Sequence, residues 1–275
     1  MYLCDSHIHS EFSFDAEVPV EEMVKQGIAN NLKVMTITDH CDAVAIGETD
    51  NEFGVVLEKS IPASVKETKR VAKLYEDKIK VLAGVELGEP THFPDKTQIA
   101  LNMADYDFIL ASTHEVRGRE DFYFLEYTRG NVDTLLSEYF NEQLEVVKWN
   151  GFDSLAHFDY PARYIYEKTD IKPDYTKFNN IIDEILKILS ENNKALEVNT
   201  STIQKPLGRT TPGLDILKRF KSFGGKLITL GSDAHTKEAL GQDLDKGIEL
   251  IKSAGFTSYC YYENHQPVSV NIVKD

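Results

Sequence analysis

Six of the eight histidines in this 275-residue chain, His7, His9, His40, His114, His157 and His235, stand just after short apolar runs, and Glu86 and Asp233 occupy equivalent places. Imidazole nitrogens and carboxylate oxygens together suit borderline divalent ions such as zinc, manganese or iron. In His7-Ile8-His9 and again in Asp233-Ala234-His235, two donors are separated by one residue. An extended backbone turns such a pair to the same side, because strand side chains alternate with period two. A lone histidine is most often a hydrogen-bonded structural residue. Two such pairs plus Glu86 already exceed what one tetrahedral zinc ion needs, so the joint pattern implies a multinuclear metal site. Closely spaced divalent ions favour hydrolysis, above all in-line displacement at phosphorus.

These donors are scattered over more than 200 residues, so the fold must bring them together. The apolar runs lie near Tyr2-Leu3-Cys4, Val34 to Thr38, Ile79 to Val85, Phe108 to Ala111, Ser154-Leu155-Ala156, Ala195 to Val198 and Lys226 to Leu230. Short, nearly continuous and rich in β-branched residues, they read as parallel strands buried on both faces. Between them lie helical stripes. Val20, Met23, Val24, Gly27 and Ile28 form one behind Pro19, and Ile181 to Leu189 form another. Pro62 to Tyr75, Leu135 to Trp149 and Leu214 to Phe223 are further helices. Seven strand–helix units predict an α/β fold closed into a barrel, with one or two more strands between Phe256 and Val273. In such a barrel the carboxyl ends of the strands meet on one face, where active sites sit. Every donor named above falls there.

The composition, 41% hydrophobic and 27% charged, suits one large domain over residues 1–275. No apolar stretch is long enough for a membrane span, and Met1 to Asp5 lacks the pattern of a secretory signal, so a cytoplasmic protein is expected. Cys4, Cys41 and Cys260 are odd in number and far apart, and read as reduced thiols. A net charge of −15 argues against extended contact with nucleic acid. It permits a small anionic substrate, because bound metal ions reverse the local field.

The runs Asp5-Ser6-His7-Ile8-His9-Ser10, Thr38-Asp39-His40, Gly84-Val85-Glu86, Ser112-Thr113-His114 and Gly231-Ser232-Asp233-Ala234-His235 resemble, in order, the motifs of the PHP (polymerase and histidinol phosphatase) family, from Tyr2 to about Leu240. The resemblance implies a distorted, TIM-like barrel of seven β/α units and three metal positions. His7, His9, Glu86 and Asp233 would hold the first ion. Glu86 would bridge to the second, with His114 and His157. Asp15, His40 and His235 would hold the third. Asp5 and Asp39 would orient ligand imidazoles.

The segments around His114, around His157 through Arg163, and from Leu196 to Ser201 look most like the histidinol-phosphatase branch. That branch hydrolyses L-histidinol phosphate in histidine biosynthesis. In this reading Arg117 and Arg163 contact phosphate, Glu115 or Asn199 faces the amino-imidazole end, and His40 also lies on the substrate side. Asp233 or His235 acts near the leaving oxygen. A departure is the aromatic insert at about 117–128, read either as a lid or as a surface element. Three alternatives stay open: a nucleotide or other small-ester phosphatase or phosphodiesterase, an amidohydrolase, and a non-catalytic metal-binding domain. The oligomeric state is not specified. Elemental analysis of gently purified protein is expected to find more than one divalent ion per chain. Chelation is expected to abolish phosphate-ester turnover and leave the far-ultraviolet circular dichroism largely intact. Full activity without metal would exclude a metal mechanism.

Overall fold

A computed structural model describes residues 2–48 and 56–272. Its strands are β1 (Cys4–Ile8), β2 (Val34–Ile37), β3 (His40–Asp42), β4 (Lys80–Gly88), β5 (Phe108–Ser112), β6 (Ser154–Leu155), β7 (Ala195–Asn199), β8 (Ile228–Gly231), β9 (Ser258–Glu263) and β10 (Gln266–Asn271). The helices are α1 (Val20–Ala29), α2 (Leu57–Leu74), α3 (Pro94–Asn102), α4 (Val132–Trp149), α5 (Pro161–Lys168), α6 (Asn179–Glu191), α7 (Leu214–Ser222) and α8 (Leu244–Ser253). Seven parallel strands run in the order β1-β2-β4-β5-β6-β7-β8, and β3 adds to β4 in parallel. The ring nearly closes where Asp233 N donates to His7 O and His9 N donates to Ala234 O, both at 2.9 Å. Each of the seven expected runs meets one of the seven barrel strands, although β1 begins at Cys4, where the first expected run ends, and so takes in His7. The short β3 was not expected. It exists because Asp39 O accepts from Glu86 N at 3.2 Å, which carries His40 to Asp42 alongside β4.

The helices pack their apolar stripes on the outside of this ring. Val20, Met23 and Val24 of α1 are buried, as are Ile182, Ile185, Leu186 and Leu189 of α6. Helix α2 begins at Leu57, ahead of the expected start at Pro62, and the proline lies inside it. Among the described residues no helix is long and apolar enough to cross a membrane. Cys4, Cys41 and Cys260 are buried free thiols.

Inside the ring, period two divides each strand between core and site. On β7, Ala195 shares its face with Glu197 and Asn199, and the first of these joins Phe108, Leu110, Cys260 and Tyr262 in a small apolar plug. The antiparallel pair β9–β10 supplies part of that plug and closes the amino-terminal end of the barrel. It matches the extra strands expected in the tail, although Val273 lies outside the described residues. Tyr259 Oη accepts from Cys4 N at 3.1 Å and donates to Tyr2 O at 2.6 Å. Tyr262 Oη donates to Asp153 O at 3.2 Å, and His265 Nδ1 lies 2.8 Å from Asp153 Oδ2. The apolar plug thus fills the lower part of the barrel, and the imidazole and carboxylate donors gather above it.

Tyr259→Phe keeps the ring but strands the buried Cys4 N–H. A loss of about 1–3 kcal/mol is expected, the usual cost of an unsatisfied buried donor. The midpoint of urea unfolding measures it.

Candidate metal centre and substrate cavity

Glu86, in the last third of β4 and 1% exposed, is the point on which the cluster converges. Its Oε1 lies 2.9 Å from His157 Nε2 and 3.2 Å from His114 Nε2. Its Oε2 lies 3.0 Å from His40 Nδ1, 3.2 Å from His7 Nε2 and 3.5 Å from His9 Nε2. The imidazoles reach it from several strands and the turns beside them. His7 is in β1, His9 follows it, His40 opens β3, and His114 and His157 follow β5 and β6. Asp233 Oδ1 completes one side, 3.6 Å from His7 Nε2 and 3.4 Å from His9 Nε2.

The structure thus brings together His7, His9 and Asp233 as one set of donors, and Glu86, His114 and His157 as another. A third set combines His40 and His235 with His9. Asp15 Oδ2 joins it, 3.0 Å from His235 Nε2 and 3.6 Å from His40 Nε2. A carboxylate that the sequence reading did not single out, Asp42, stands with His40 and His114. Buried His9 Nε2, His40 Nδ1 and His235 Nε2 lack an aligned hydrogen-bond partner despite these close approaches. Converging donors without hydrogen-bond geometry are what cations would satisfy, and mixed imidazole and carboxylate donors suit zinc, manganese or iron. The residues present fit divalent ions.

The same convergence displaces the ionisation of the cluster's groups. Burial pulls the His7 pKa down, but Glu197, Glu86 and Asp233 together hold it well above the usual histidine range. His40 and His114 are raised in the same way against their own burial, with Glu86 the leading carboxylate. His9 moves the other way, driven down by burial and by the neighbouring His235 and His40. Burial opposes ionisation of Glu86 and Asp233, yet the surrounding imidazoles, His7 foremost, hold both carboxyls well below their usual range.

Above the cluster opens a cavity of about 970 Å³. Arg163, from α5, reaches into it, its guanidinium 3.0 Å from Ser201 Oγ and 3.4 Å from Asp233 Oδ2. Its guanidinium carbon lies 5.9 Å and 5.8 Å from the centroids of the Tyr160 and Tyr164 rings. Lys205 lies on the same side, while Asp42, Glu89, Glu115 and Asp121 line the side around His114. Tyr160 stands between the two, its ring centroid 5.0 Å from both the His114 and His157 rings.

Several expected placements change. Arg117 is exposed and its guanidinium donates to Thr91 O, away from the cavity; Arg119, two residues on, lines it instead. The turn after Val116 carries Arg117 outward, a direction that residue spacing does not define. Asn199 is fully buried beneath the cavity, donating to Glu197 at 3.3 Å and accepting from Ser201 Oγ at 2.7 Å, so it does not face a substrate. Asp5 touches no imidazole ring. It accepts from Ser232 N at 2.9 Å and Gly241 N at 3.1 Å, and fixes the turn that carries Asp233. Asp39 reaches His9 only through Ser13, whose Oγ is 2.8 Å from Asp39 Oδ1 and 3.2 Å from His9 Nδ1. A carboxylate outside the donor sets that does meet a ring is Glu197, 2.7 Å from His7 Nδ1. The sequence signal for it is a lone charge inside the buried run Ala195 to Asn199. The insert lies along the rim: Phe122 is buried as an anchor, while Tyr123 and Phe124 are exposed at the cavity edge.

The PHP domain family matches residues 5–201. The chain belongs to the PHP domain family. It is 33% identical over 254 residues to a histidinol-phosphatase of Lactococcus lactis subsp. lactis, covering 92% of this chain and 91% of that one. The crystal structure of histidinol phosphate phosphatase from that organism, complexed with zinc, L-histidinol and phosphate, superposes with a TM-score of 0.81 at 31% identity, over 96% of this chain and 98% of the other. A Listeria monocytogenes structure shares the fold, with a TM-score of 0.73 at 18% identity over 89% of this chain and 99% of that one.

Arg163→Ala is expected to keep its metal content but lose roughly 2–4 kcal/mol of transition-state stabilisation, as for other single electrostatic donors. Arg117→Ala is expected to stay near wild type. Comparison of kcat/KM for the two variants on one phosphate ester measures both effects, and equal losses would contradict the placement of Arg117.

Proposed function

We propose that this PHP-family chain is a metal-dependent phosphomonoesterase that hydrolyses L-histidinol phosphate to L-histidinol and inorganic phosphate. The observation that carries the reading is the mixed polarity of the cavity over the Glu86 cluster, which is lined by Arg163 and by the carboxylates of Glu115 and Asp121. An ester with an anionic phosphate and a cationic amine fits that polarity. Similarity to the Lactococcus enzyme over nine-tenths of both chains supports the same substrate.

In this reading His7, His9, Glu86 and Asp233 hold one ion, Glu86, His114 and His157 a second, and Asp15, His40 and His235 a third. Such ions supply Lewis acidity to phosphoryl oxygens and lower the pKa of water toward neutrality. The protein's own groups do the rest. Arg163, held by Ser201 and Asp233, donates from a fixed fork to the phosphoryl oxygens and meets the charge that develops on them. As the water oxygen bonds to phosphorus, the bond from phosphorus to the alcohol oxygen breaks. The proton that the attacking water gives up balances the one the departing alkoxide takes, and Asp233 and His235, which line the cavity with Oδ1 and Nδ1 3.7 Å apart, stand beside the leaving oxygen. Glu115 receives the substrate ammonium, and the aromatic rim flanks the imidazole. Binding energy at that remote end holds the phosphorus in line for attack.

The proposal extends to a cytoplasmic enzyme, and to one without a nucleic-acid partner, which the net charge of −15 supports. It treats residues 1–275 as one domain, with segment 117–128 as a rim to the site.

The test compares L-histidinol phosphate with a neutral aryl phosphate on zinc- or manganese-loaded protein. kcat/KM is expected to be well above the aryl value for the first ester. Glu115→Gln should raise KM for L-histidinol phosphate about tenfold, the loss of one hydrogen bond to a charged group, and leave the aryl ester unchanged. Faster turnover of a nucleotide phosphate than of L-histidinol phosphate would overturn the substrate and keep the chemistry.

A further inference from the structure

Glu197 is absent from the cavity lining and so cannot touch a substrate, yet it is 1% exposed and sits against the cluster from beneath. Its two oxygens go to different places. Oε1 lies 2.7 Å from His7 Nδ1, on the far side of the ring from the Nε2 that faces Glu86 and Asp233. Oε2 accepts from the backbone N–H of His157 at 2.7 Å and from Asn199 Nδ2 at 3.3 Å. His7 comes from β1 and His157 from the loop after β6, so one carboxylate ties together two donors 150 residues apart on opposite arcs of the barrel. The fold makes room for it. A Cβ at Gly231 would stand 2.7 Å from Glu197 Oε1 and 2.4 Å from His7 Cβ, so only glycine leaves that gap.

We propose that Glu197 is a positioning residue that couples the first two metal positions, fixing His7 so that Nδ1 carries the proton and Nε2 is free to bind. It holds the backbone of His157 with its other oxygen. The proposal rests on the reading that His7 and His157 are ligands of different ions. The physical reason is general: an imidazole that donates from one nitrogen to a carboxylate presents the other nitrogen in a fixed direction and with more basicity, and losing such a partner weakens metal binding by about 10–100-fold. Here the same carboxylate serves both positions, so the two weaken together. The third position, built on Asp15, His40 and His235, has no contact with Glu197 among the described interactions and is left alone.

Glu197→Gln isolates the effect, because an amide cannot accept from both His7 Nδ1–H and His157 N–H. Metal-free wild type and variant are titrated with Zn²⁺ in competition with a chromogenic chelator, and the ions retained after gel filtration are counted. Wild type is expected to retain three. The variant is expected to retain one, with the other two bound about 10–100-fold more weakly. A variant that retains all three at wild-type affinity overturns the proposal, as does equal weakening at every position. The second readout needs no folded variant: ring ¹⁵N shifts in zinc-loaded wild type should show His7 with Nδ1 protonated and Nε2 bound to metal. The reverse assignment also overturns it. Wild-type protein that binds no divalent ion would instead remove the ligand reading on which the proposal stands.

Discussion

One buried carboxylate governs this molecule. Glu86 has five imidazoles within 3.5 Å of its two oxygens, and at 1% exposure water shares little of the charge. Such a cluster is stable only if opposite charges are matched at close range, because an unpaired ion in a dry interior costs several kcal/mol. The displaced ionisation of Glu86, Asp233, His7 and His9 expresses that demand. Divalent ions would meet it at the positions where the donors converge.

The architecture around the cluster serves the same end. A parallel barrel delivers side chains from many strands to one rim, and the closure between β1 and the turn after β8 puts the first and last donors side by side. Asp233 takes a left-handed φ of 54° there, and its N–H is spent on His7 O, so the turn's geometry is set by the strand it meets. Asp5 holds that turn from below through Ser232 and Gly241. Groups that touch no substrate thereby decide where the reactive ones stand.

The sequence made the ring and most of the cluster legible for a definite reason. Parallel strands buried on both faces appear as continuous apolar runs, and the donors follow those runs at once, so strand ends and donors are read together. What lay in the loops was not legible. Arg117 and Arg119 differ by two positions in a turn, and only the turn's path decides which faces the cavity. Asn199 and Glu197 share the inward face of β7, yet depth along the barrel, which local sequence does not encode, sets both beneath the floor rather than on it. Ser201 and Lys205 lie in an irregular segment whose approach to Arg163 depends on contacts across the barrel.

The pair β9–β10 closes the end of the barrel opposite the cluster, and its contacts reach the starts of β1, β4 and β8 through Tyr259, Glu263 and Cys260. These strands leave the ribosome after all seven of the ring. A growing chain can therefore pair its strands in order, but its floor stays open and its apolar plug incomplete until the final hairpin emerges. Long-range pairing of this kind is slow and leaves apolar surface exposed while it waits. The interval between synthesis of β8 and arrival of β10 is when the nascent barrel is most open to aggregation, and chaperone binding in that window would fall on the floor rather than on the site.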